Sequence, residues 1–211
     1  MASDTIAAFD FDHTLTRRDS VVPFLRGVAG TRRLFAGLAL RAPQVLSAAS
    51  RRDRDTLRAV ASEVALRGVA RVDLECEAAD LSARIIADGL RDDTVARLRW
   101  HVEQGHRVVI VSASYTQYVQ IVGEHLGVEK TLATTVEFDG SDHCSGRIVG
   151  ANCRAEEKVR RLSAWMTSIG MARDVATIWA YGDSSGDRAL LDFADHPIWV
   201  TERLATVAPT V

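Results

Sequence analysis

Two aspartates that stand two residues apart, Asp10 and Asp12, limit what this chain can fold into more than any other feature. They lie at the end of the apolar run Ile6–Phe11, which is typical of a strand buried in a parallel sheet. Carboxylates at the carboxyl end of such a strand are costly unless a cation, most often Mg²⁺, compensates their charge. An aspartate beside Mg²⁺ can also attack phosphorus and form an aspartyl-phosphate. The alternative for this segment alone is a helix-capping residue followed by a turn residue.

Strands alternate with helices in the second half of the chain. Buried strands are predicted at Arg107–Ser112 and Val175–Tyr181, and each is followed by a predicted helix. This alternation favours an α/β fold, a doubly wound (Rossmann-like) parallel sheet that binds ligands at the carboxyl ends of its strands. The other predicted elements are helices at Asp93–Gln104, Tyr115–Leu126, Glu156–Ile169 and Asp187–Phe193, a strand pair of Thr131–Phe138 and Gly146–Val149, and a last strand at Ile198–Val200.

The segment between the first two strands is predicted to be helical. Residues 20–90 contain no convincing strand and are rich in alanine, leucine and arginine. Proline and glycine breaks divide the segment into three or four helices. The breaks are at Pro23, Gly30, Pro43 and Gly68. We therefore expect a core domain formed by residues 1–16 and 92–211, and an inserted all-helical cap domain over residues 17–91.

The composition is that of a globular protein without a nucleic-acid-binding charge pattern. The chain has 211 residues, 47% of them hydrophobic, and a net charge of −2, so we expect no nucleic-acid partner. Cys76, Cys144 and Cys153 are far apart, which predicts reduced thiols rather than a zinc site or disulfides. Because the first predicted strand begins almost at once, we expect no signal peptide and a cytoplasmic location.

The most apolar run is Leu34–Leu40, which ends at Arg41 and is too short to span a bilayer. We therefore expect no stable membrane insertion. Together with Val45 and Leu46, this run either forms an ordinary cap core or lines a site for a lipid-like or aromatic phosphate. Nothing in the sequence determines the oligomeric state.

A second acidic motif, Gly182–Asp187, follows the strand predicted at Val175–Tyr181. Asp183 stands at the strand end, where it can complete a metal shell that Asp10 begins. Asp187 stands at the start of the next helix, where it can bind the metal through water, hold a lysine, or act as a simple N-cap.

Two further residues are candidates for holding a phosphoryl group. Ser112 ends a predicted strand, where its hydroxyl and a free backbone N–H can bind a phosphoryl oxygen or cap the next helix. Lys158 is one of only two lysines among 26 basic residues. A lysine on a helix is usually just solvated, but a compact point charge also suits a phosphate site.

These segments, in this order, resemble the haloacid-dehalogenase-like (HAD) hydrolase superfamily. Within it, the chain resembles subfamily IB, the branch that includes the phosphoserine phosphatases and inserts a helical cap just after the first motif. The resemblance covers nearly the whole chain and is most specific at Asp10–Thr14 and Gly182–Asp187. Residues Asn152–Val159 also resemble a bacterial subgroup of that branch.

The resemblance implies a Mg²⁺-dependent phosphomonoester phosphatase that acts through an aspartyl-phosphate. It makes Asp10 the nucleophile and a Mg²⁺ ligand. Asp12 would bind the metal through its backbone carbonyl, while its side chain protonates the leaving alkoxide and then deprotonates water. Lys158, Ser112 and Ala113 would hold the phosphoryl oxygens.

The resemblance also assigns supporting roles. Asp183 would ligate Mg²⁺ with help from Asp187, and Thr14 would support the turn that presents the first motif. Asp19 stands where phosphoserine phosphatases carry an acidic residue that binds the substrate amine.

The expected substrate is a small phosphorylated metabolite or a lipid-like phosphate. Phosphoserine phosphatase itself is an alternative, although Ser62 stands where those enzymes carry an arginine for the substrate carboxylate and Glu63 adds a negative charge. A phosphotransferase with an alcohol as acceptor is not separated from a hydrolase by these motifs. A non-catalytic phosphate-binding protein on this fold is the alternative of another class. Such a protein is expected to have lost one of the motif residues, but Asp10, Asp12, Lys158 and Asp183 are all present.

Overall fold

The computed structural model describes residues 4–201 and 203–204. Within them, five parallel strands form one sheet in the order β3-β2-β1-β6-β7. The strands are β1 (Thr5–Phe9), β2 (Arg107–Tyr115), β3 (Lys130–Thr134), β6 (Thr177–Gly182) and β7 (His196–Trp199). A separate antiparallel hairpin consists of β4 (Val136–Phe138) and β5 (Cys144–Ile148).

Helices cover both faces of the sheet. The helices of the second half are α6 (Asp92–Glu103), α7 (Thr116–Leu126), α8 (Glu156–Ser168) and α9 (Arg188–Phe193). Side chains alternate along β1, so Ala7 and Phe9 pack with α6 and α7, while Ile6 and Ala8 pack with α8 and α9. The predicted α/β fold with a doubly wound parallel sheet is therefore confirmed.

The chain between β1 and β2 is helical, as predicted. The described residues there form five α-helices and one π-helical turn, more than the three or four helices expected. They are α1 (Val21–Ala29), α2 (Thr31–Leu40), α3 (Ala42–Ser50), α4 (Arg54–Leu66), α5 (Arg71–Arg84) and the π-turn Ile85–Gly89. Two short connections, one after β1 and one before α6, link this insertion to the rest of the structure, and they pair with each other at Thr16 and Leu90. The division into domains at residues 16 and 91 stays a prediction.

The insertion and one face of the sheet share a single apolar cluster. Phe24 of α1 contacts the rings of Tyr115 and Tyr118, at centroid distances of 5.4 and 4.9 Å. The hydroxyl of Ser82 in α5 also donates to the backbone carbonyl of Tyr118, at 3.1 Å. The insertion is thus packed against α7 and the end of β2.

The predicted strand Thr131–Phe138 is wrong as a single element. Its first part is β3 in the main sheet, and its last part is β4 in the hairpin, which packs against α4. The chain divides after Thr134, because the hydroxyl of Thr134 donates to Asn152 at 2.9 Å and accepts from the backbone N–H of Cys153 at 3.1 Å. These contacts hold the end of β3 to the loop that precedes α8.

Tyr115 was predicted to begin a helix, but it is the last residue of β2. The pairing of β2 with β3 shifts between Ser112 and Tyr115, so Ser112 lies before an irregularity rather than at the strand end. The last strand begins at His196 and not at Ile198. Propensity locates element ends poorly, because hydrogen bonds to distant residues decide them.

None of the described helices is long and apolar enough to cross a bilayer. Cys76, Cys144 and Cys153 are free thiols, which agrees with the prediction of no disulfide framework.

Candidate active site

The sequence-predicted site residues meet at the carboxyl ends of β1, β2 and β6. Asp10 directly follows β1, and its backbone N–H donates to the carbonyl of Tyr181 in β6 at 2.9 Å. A cavity of about 190 Å³ opens at this edge. Its walls include Asp10, Asp12, Asp19, Ser112, Ala113, Lys158, Asp183 and Asp187. A parallel sheet predicts this position, because β1 lies where the strand order reverses.

Lys158 lies in the first turn of α8 and connects two carboxylates. Its ammonium donates to Asp10 at 2.5 Å and to Asp187 at 2.6 Å, and only 2% of its side chain is exposed. Burial opposes the charge of Lys158, but the two aspartates outweigh it and raise its pKa. Asp187 occupies the N-cap position of α9, but its side chain makes no cap hydrogen bond to that helix and accepts from Lys158 instead.

Asp187 is held by its own loop as well as by Lys158. Its second oxygen accepts from the backbone N–H and the hydroxyl of Ser184, at 2.9 and 2.8 Å. Gly182 permits this arrangement, because a Cβ at that position would lie 2.4 Å from the Cβ of Asp187. The glycine of the second acidic motif is therefore required for close packing.

Three carboxylates form a cluster that can hold a cation. Oxygens of Asp10, Asp183 and Asp187 lie within 4.8 Å of one another. Burial raises the pKa of Asp10 and of Asp183, and the charge of Asp187 adds to both effects. Thr14 positions the group by donating to Asp183 at 3.2 Å. Lys158 alone does not balance three carboxylates, so an all-oxygen set of this kind fits Mg²⁺.

Asp12 is held by two hydroxyls, and among the described ion pairs none includes it. One of its oxygens accepts from the hydroxyl and the backbone N–H of Ser20, at 2.5 and 3.0 Å. The other accepts from the hydroxyl of Ser114 at 2.6 Å. Burial, followed by the charge of Asp19, raises the pKa of Asp12 to about 6, although both hydroxyls oppose the shift. Asp12 is therefore both fixed in direction and able to exchange a proton near neutral pH.

The insertion contributes two arginines to the cavity, Arg54 and Arg58, which stand one turn apart on α4. The guanidinium of Arg58 lies 5.3 Å from the ring centroid of Tyr115. Its Nη1 is buried and has no hydrogen-bond partner among the described residues. Asp19 stands in the same cavity, and its carboxylate accepts from the backbone N–H of Val22 at 3.0 Å.

Ser62 and Glu63, which were expected to face the substrate, do not line this cavity. Ser62 is fully buried, and its hydroxyl lies 2.6 Å from that of Tyr115. Glu63 forms a bidentate ion pair with Arg41, with nitrogen–oxygen distances of 2.7 and 2.8 Å. Glu63 therefore brings no added negative charge to the cavity, and the prediction that it does is wrong.

A family model described as haloacid dehalogenase-like hydrolase matches residues 7–192. The chain belongs to this family. The match confirms the superfamily expected from the motifs, whereas membership of subfamily IB stays a prediction. Protein CicA of Caulobacter vibrioides is 35% identical over 191 residues, which are 90% of this chain and 83% of CicA.

Solved structures of the family share the fold of this HAD hydrolase. A Bordetella pertussis protein with unknown function superposes with a TM-score of 0.75 at 24% identity, over 89% of this chain and 86% of that chain. A substrate-bound phosphoserine phosphatase superposes with a TM-score of 0.62 at 16% identity, over 90% of this chain and 82% of that chain. At these identities the likeness concerns the fold alone.

The roles of several site residues were not predicted from the sequence. Ser20 and Ser114 hold Asp12, but a serine carries no pattern that distinguishes this role from a cap or a turn. Neither Arg54 nor Arg58 was predicted as a site residue. The spacing of four residues between these arginines was the available signal, because it places both on one face of a helix.

Proposed function

We propose that this HAD hydrolase is a Mg²⁺-dependent phosphatase that cleaves phosphomonoesters through an aspartyl-phosphate at Asp10. The observation that carries the proposal is that Asp10, Lys158 and Asp12 face one cavity with different partners. Asp10 lies in an acidic cluster and accepts from a buried cation, whereas Asp12 accepts from the hydroxyls of two serines. One carboxylate is thus suited to nucleophilic attack and the other to proton transfer.

In the first step, an oxygen of Asp10 attacks phosphorus and the bond to the ester oxygen breaks. Protonated Asp12 gives its proton to the leaving alkoxide, which departs as an alcohol. In the second step, Asp12 takes a proton from water and the water oxygen attacks phosphorus. The bond between phosphorus and Asp10 breaks, which restores the Asp10 carboxylate and releases inorganic phosphate. General acid and base assistance of this kind contributes about 10²- to 10⁴-fold in rate.

Charge neutralisation supplies the remainder of the catalysis. During transfer, the phosphoryl group spreads its charge over its equatorial oxygens, so cations and hydrogen-bond donors placed beside these oxygens stabilise the transition state. Lys158 is the buried cation, and Ser112 and Ala113 line the same cavity. Bound Mg²⁺, held by Asp10, Asp183 and the backbone carbonyl of Asp12, would supply further positive charge there.

We further propose that the leaving group carries a negative charge of its own. Arg54 and Arg58 lie on the insertion side of the cavity, and the unpaired Nη1 of Arg58 is a donor that a carboxylate or second phosphate would satisfy. Because Asp19 also lines the cavity, a substrate with both an amine and an anion is accommodated. This observation favours phosphoserine as a second candidate.

The test is phosphate release with Mg²⁺ or EDTA from a panel of esters. Phosphoserine and sugar bisphosphates have leaving groups with a negative charge, whereas sugar monophosphates, phosphocholine, lysophosphatidic acid and p-nitrophenyl phosphate do not. We expect Mg²⁺-dependent turnover and a preference for leaving groups with a negative charge. Arg58→Met should raise KM about tenfold for the esters with a negatively charged leaving group, because one charged hydrogen bond is lost. The same change should have little effect on KM for p-nitrophenyl phosphate.

Arg67→Met is the matched control, because Arg67 caps the same helix with 69% of its side chain exposed and pairs with Glu63. No turnover of any ester, together with binding of inorganic phosphate, would favour the non-catalytic alternative. A preference for phosphocholine over the esters whose leaving group carries a negative charge would contradict the role of Arg58.

A further inference from the structure

The exposed side of α2 and α3 is apolar and basic at once. Phe35, Leu40 and Leu46 expose 54%, 88% and 68% of their surface, and none of them lines the catalytic cavity. Leu34 is the one buried residue of α2. The expectation that Leu34–Leu40 forms a cap core or a substrate lining is therefore wrong for its outward-facing members.

The charge of this segment has one sign. Residues 20–52 contain six arginines and no aspartate or glutamate. Only one of the six, Arg41, has an acidic partner among the described ion pairs, and that partner is Glu63 of α4. Arg26 lies over the ring of Phe35, with its guanidinium carbon 5.5 Å from the centroid. The segment that carries the exposed apolar side chains is therefore basic, and one arginine contacts Phe35 directly.

Both helices present this surface away from the protein. Each packs against α4, so the sides that bear Phe35 and Leu46 face outward. The helices have 10 and 9 residues, and at about 1.5 Å per residue they are roughly 15 Å long or less. Short helices with an apolar face and arginines suit the interface of a bilayer and not its interior.

We propose that the outward sides of α2 and α3 bind the surface of an anionic membrane. The apolar side chains would enter the boundary between headgroups and acyl chains, and the arginines would pair with anionic headgroups. A second copy of the chain fits less well, because a surface without acidic groups repels a copy of itself. Nucleic acid fits less well, because contact with its phosphates would leave Phe35, Leu40 and Leu46 exposed to water.

The test is co-sedimentation of the purified protein with vesicles of phosphatidylcholine alone or mixed with phosphatidylglycerol. We expect at least about tenfold tighter binding to the anionic vesicles, and loss of most of that difference at about 0.5 M salt. The variant Phe35→Ser/Leu40→Ser/Leu46→Ser should bind at least about tenfold more weakly than the unchanged protein.

The matched control is Val72→Ser/Val102→Ser/Val175→Ser, since these valines are exposed by 64%, 42% and 59% in other parts of the structure. This variant should bind vesicles as the unchanged protein does. A second variant, with Arg32, Arg51 and Arg52 changed to glutamate, should lose the preference for anionic lipid. It keeps the apolar side chains and so tests the charge separately.

Equal binding to neutral and anionic vesicles would overturn the proposal, and so would unchanged binding by the Phe35 variant. A dimer that the Phe35 variant converts to a monomer, without an effect on vesicle binding, would assign the surface to self-association instead. Turnover of p-nitrophenyl phosphate in solution should be the same for all variants, which verifies their fold. The vesicle assay does not depend on the proposed catalytic function.

Discussion

Replacing Lys158 by methionine should destabilise the protein strongly, because it leaves Asp10 and Asp187 buried without their shared cation. Lys158 and Asp187 are each about 2% exposed, and both ammonium contacts are 2.6 Å or shorter. Removing one partner of a buried ion pair costs about 3–5 kcal/mol. For a chain of this size, each kcal/mol lowers Tm by about 2–4 °C, so we expect Tm to fall by about 10 °C.

The assays are thermal unfolding, for Tm, and urea unfolding, for the free energy, of the metal-free protein, both followed by circular dichroism. Lys130→Met is the matched control, because Lys130 is the other lysine of the chain and is exposed at the start of β3. A surface change of that kind should stay within about 0.5 kcal/mol of the unchanged protein. The double variant Asp10→Asn/Lys158→Met should recover part of the loss, since it removes one of the two unpaired charges.

The loss should also depend on pH. A buried carboxylate without its cation has a raised pKa in the folded state, so it destabilises the protein above its unfolded pKa of about 3.9. This cost grows with pH until the folded pKa is passed. The deficit of Lys158→Met should therefore be larger at about pH 8 than at about pH 5. A deficit within about 1 kcal/mol of the Lys130 control at both pH values would refute the reasoning.

Three further predictions concern other parts of the site and core. Burial lowers the pKa of His101 to about 3. Below about pH 6.5 the unfolded state therefore binds one more proton than the folded state, and the free energy of unfolding falls by about 1.4 kcal/mol per pH unit. His101→Gln should flatten that fall in urea unfolding, and an unchanged slope would contradict the assignment. Ser114→Ala removes one of the hydroxyls on Asp12 and should lower kcat about tenfold, measured with p-nitrophenyl phosphate, while KM stays the same. Saturating Mg²⁺ should raise Tm by about 5–10 °C, and Asp183→Asn should remove most of this rise; an equal rise in both would place the metal elsewhere.

The strands that carry the site were predictable because they are short, apolar and followed by acidic or polar residues. The first motif at the end of β1 and the second at the end of β6 come together through sheet pairing alone. The register Phe9 to Tyr181 places Asp10 next to the motif at Gly182. A parallel arrangement of these two strands is sufficient to predict that Asp10 and Asp183 meet.

The parts that were not predictable depend on contacts distant in sequence. The division of β3 from β4 follows from hydrogen bonds between Thr134 and residues 152 and 153. The direction of Asp12 depends on Ser114, which is 102 residues away. Local propensity carries no information about such pairs, and a single sequence does not display them.

The insertion shows the same limit in another form. Short apolar stretches such as Leu34–Leu40 predict a helix but not which side of it is covered. In the structure one side packs on α4, while Leu40 is 88% exposed. The order of the arginines and leucines along α2 does not reveal this, because both the buried and the exposed side contain apolar residues.

The central claim, that Asp10 is the nucleophile, is tested most directly by trapping the covalent intermediate. The protein would be quenched in acid during turnover of its best ester, digested, and searched by mass spectrometry for a phosphoryl group. We predict one phosphoryl group on Asp10, and neither phosphorylation nor phosphate release in Asp10→Asn. Steady phosphate release by Asp10→Asn, or a phosphoryl group on another residue, would contradict the account.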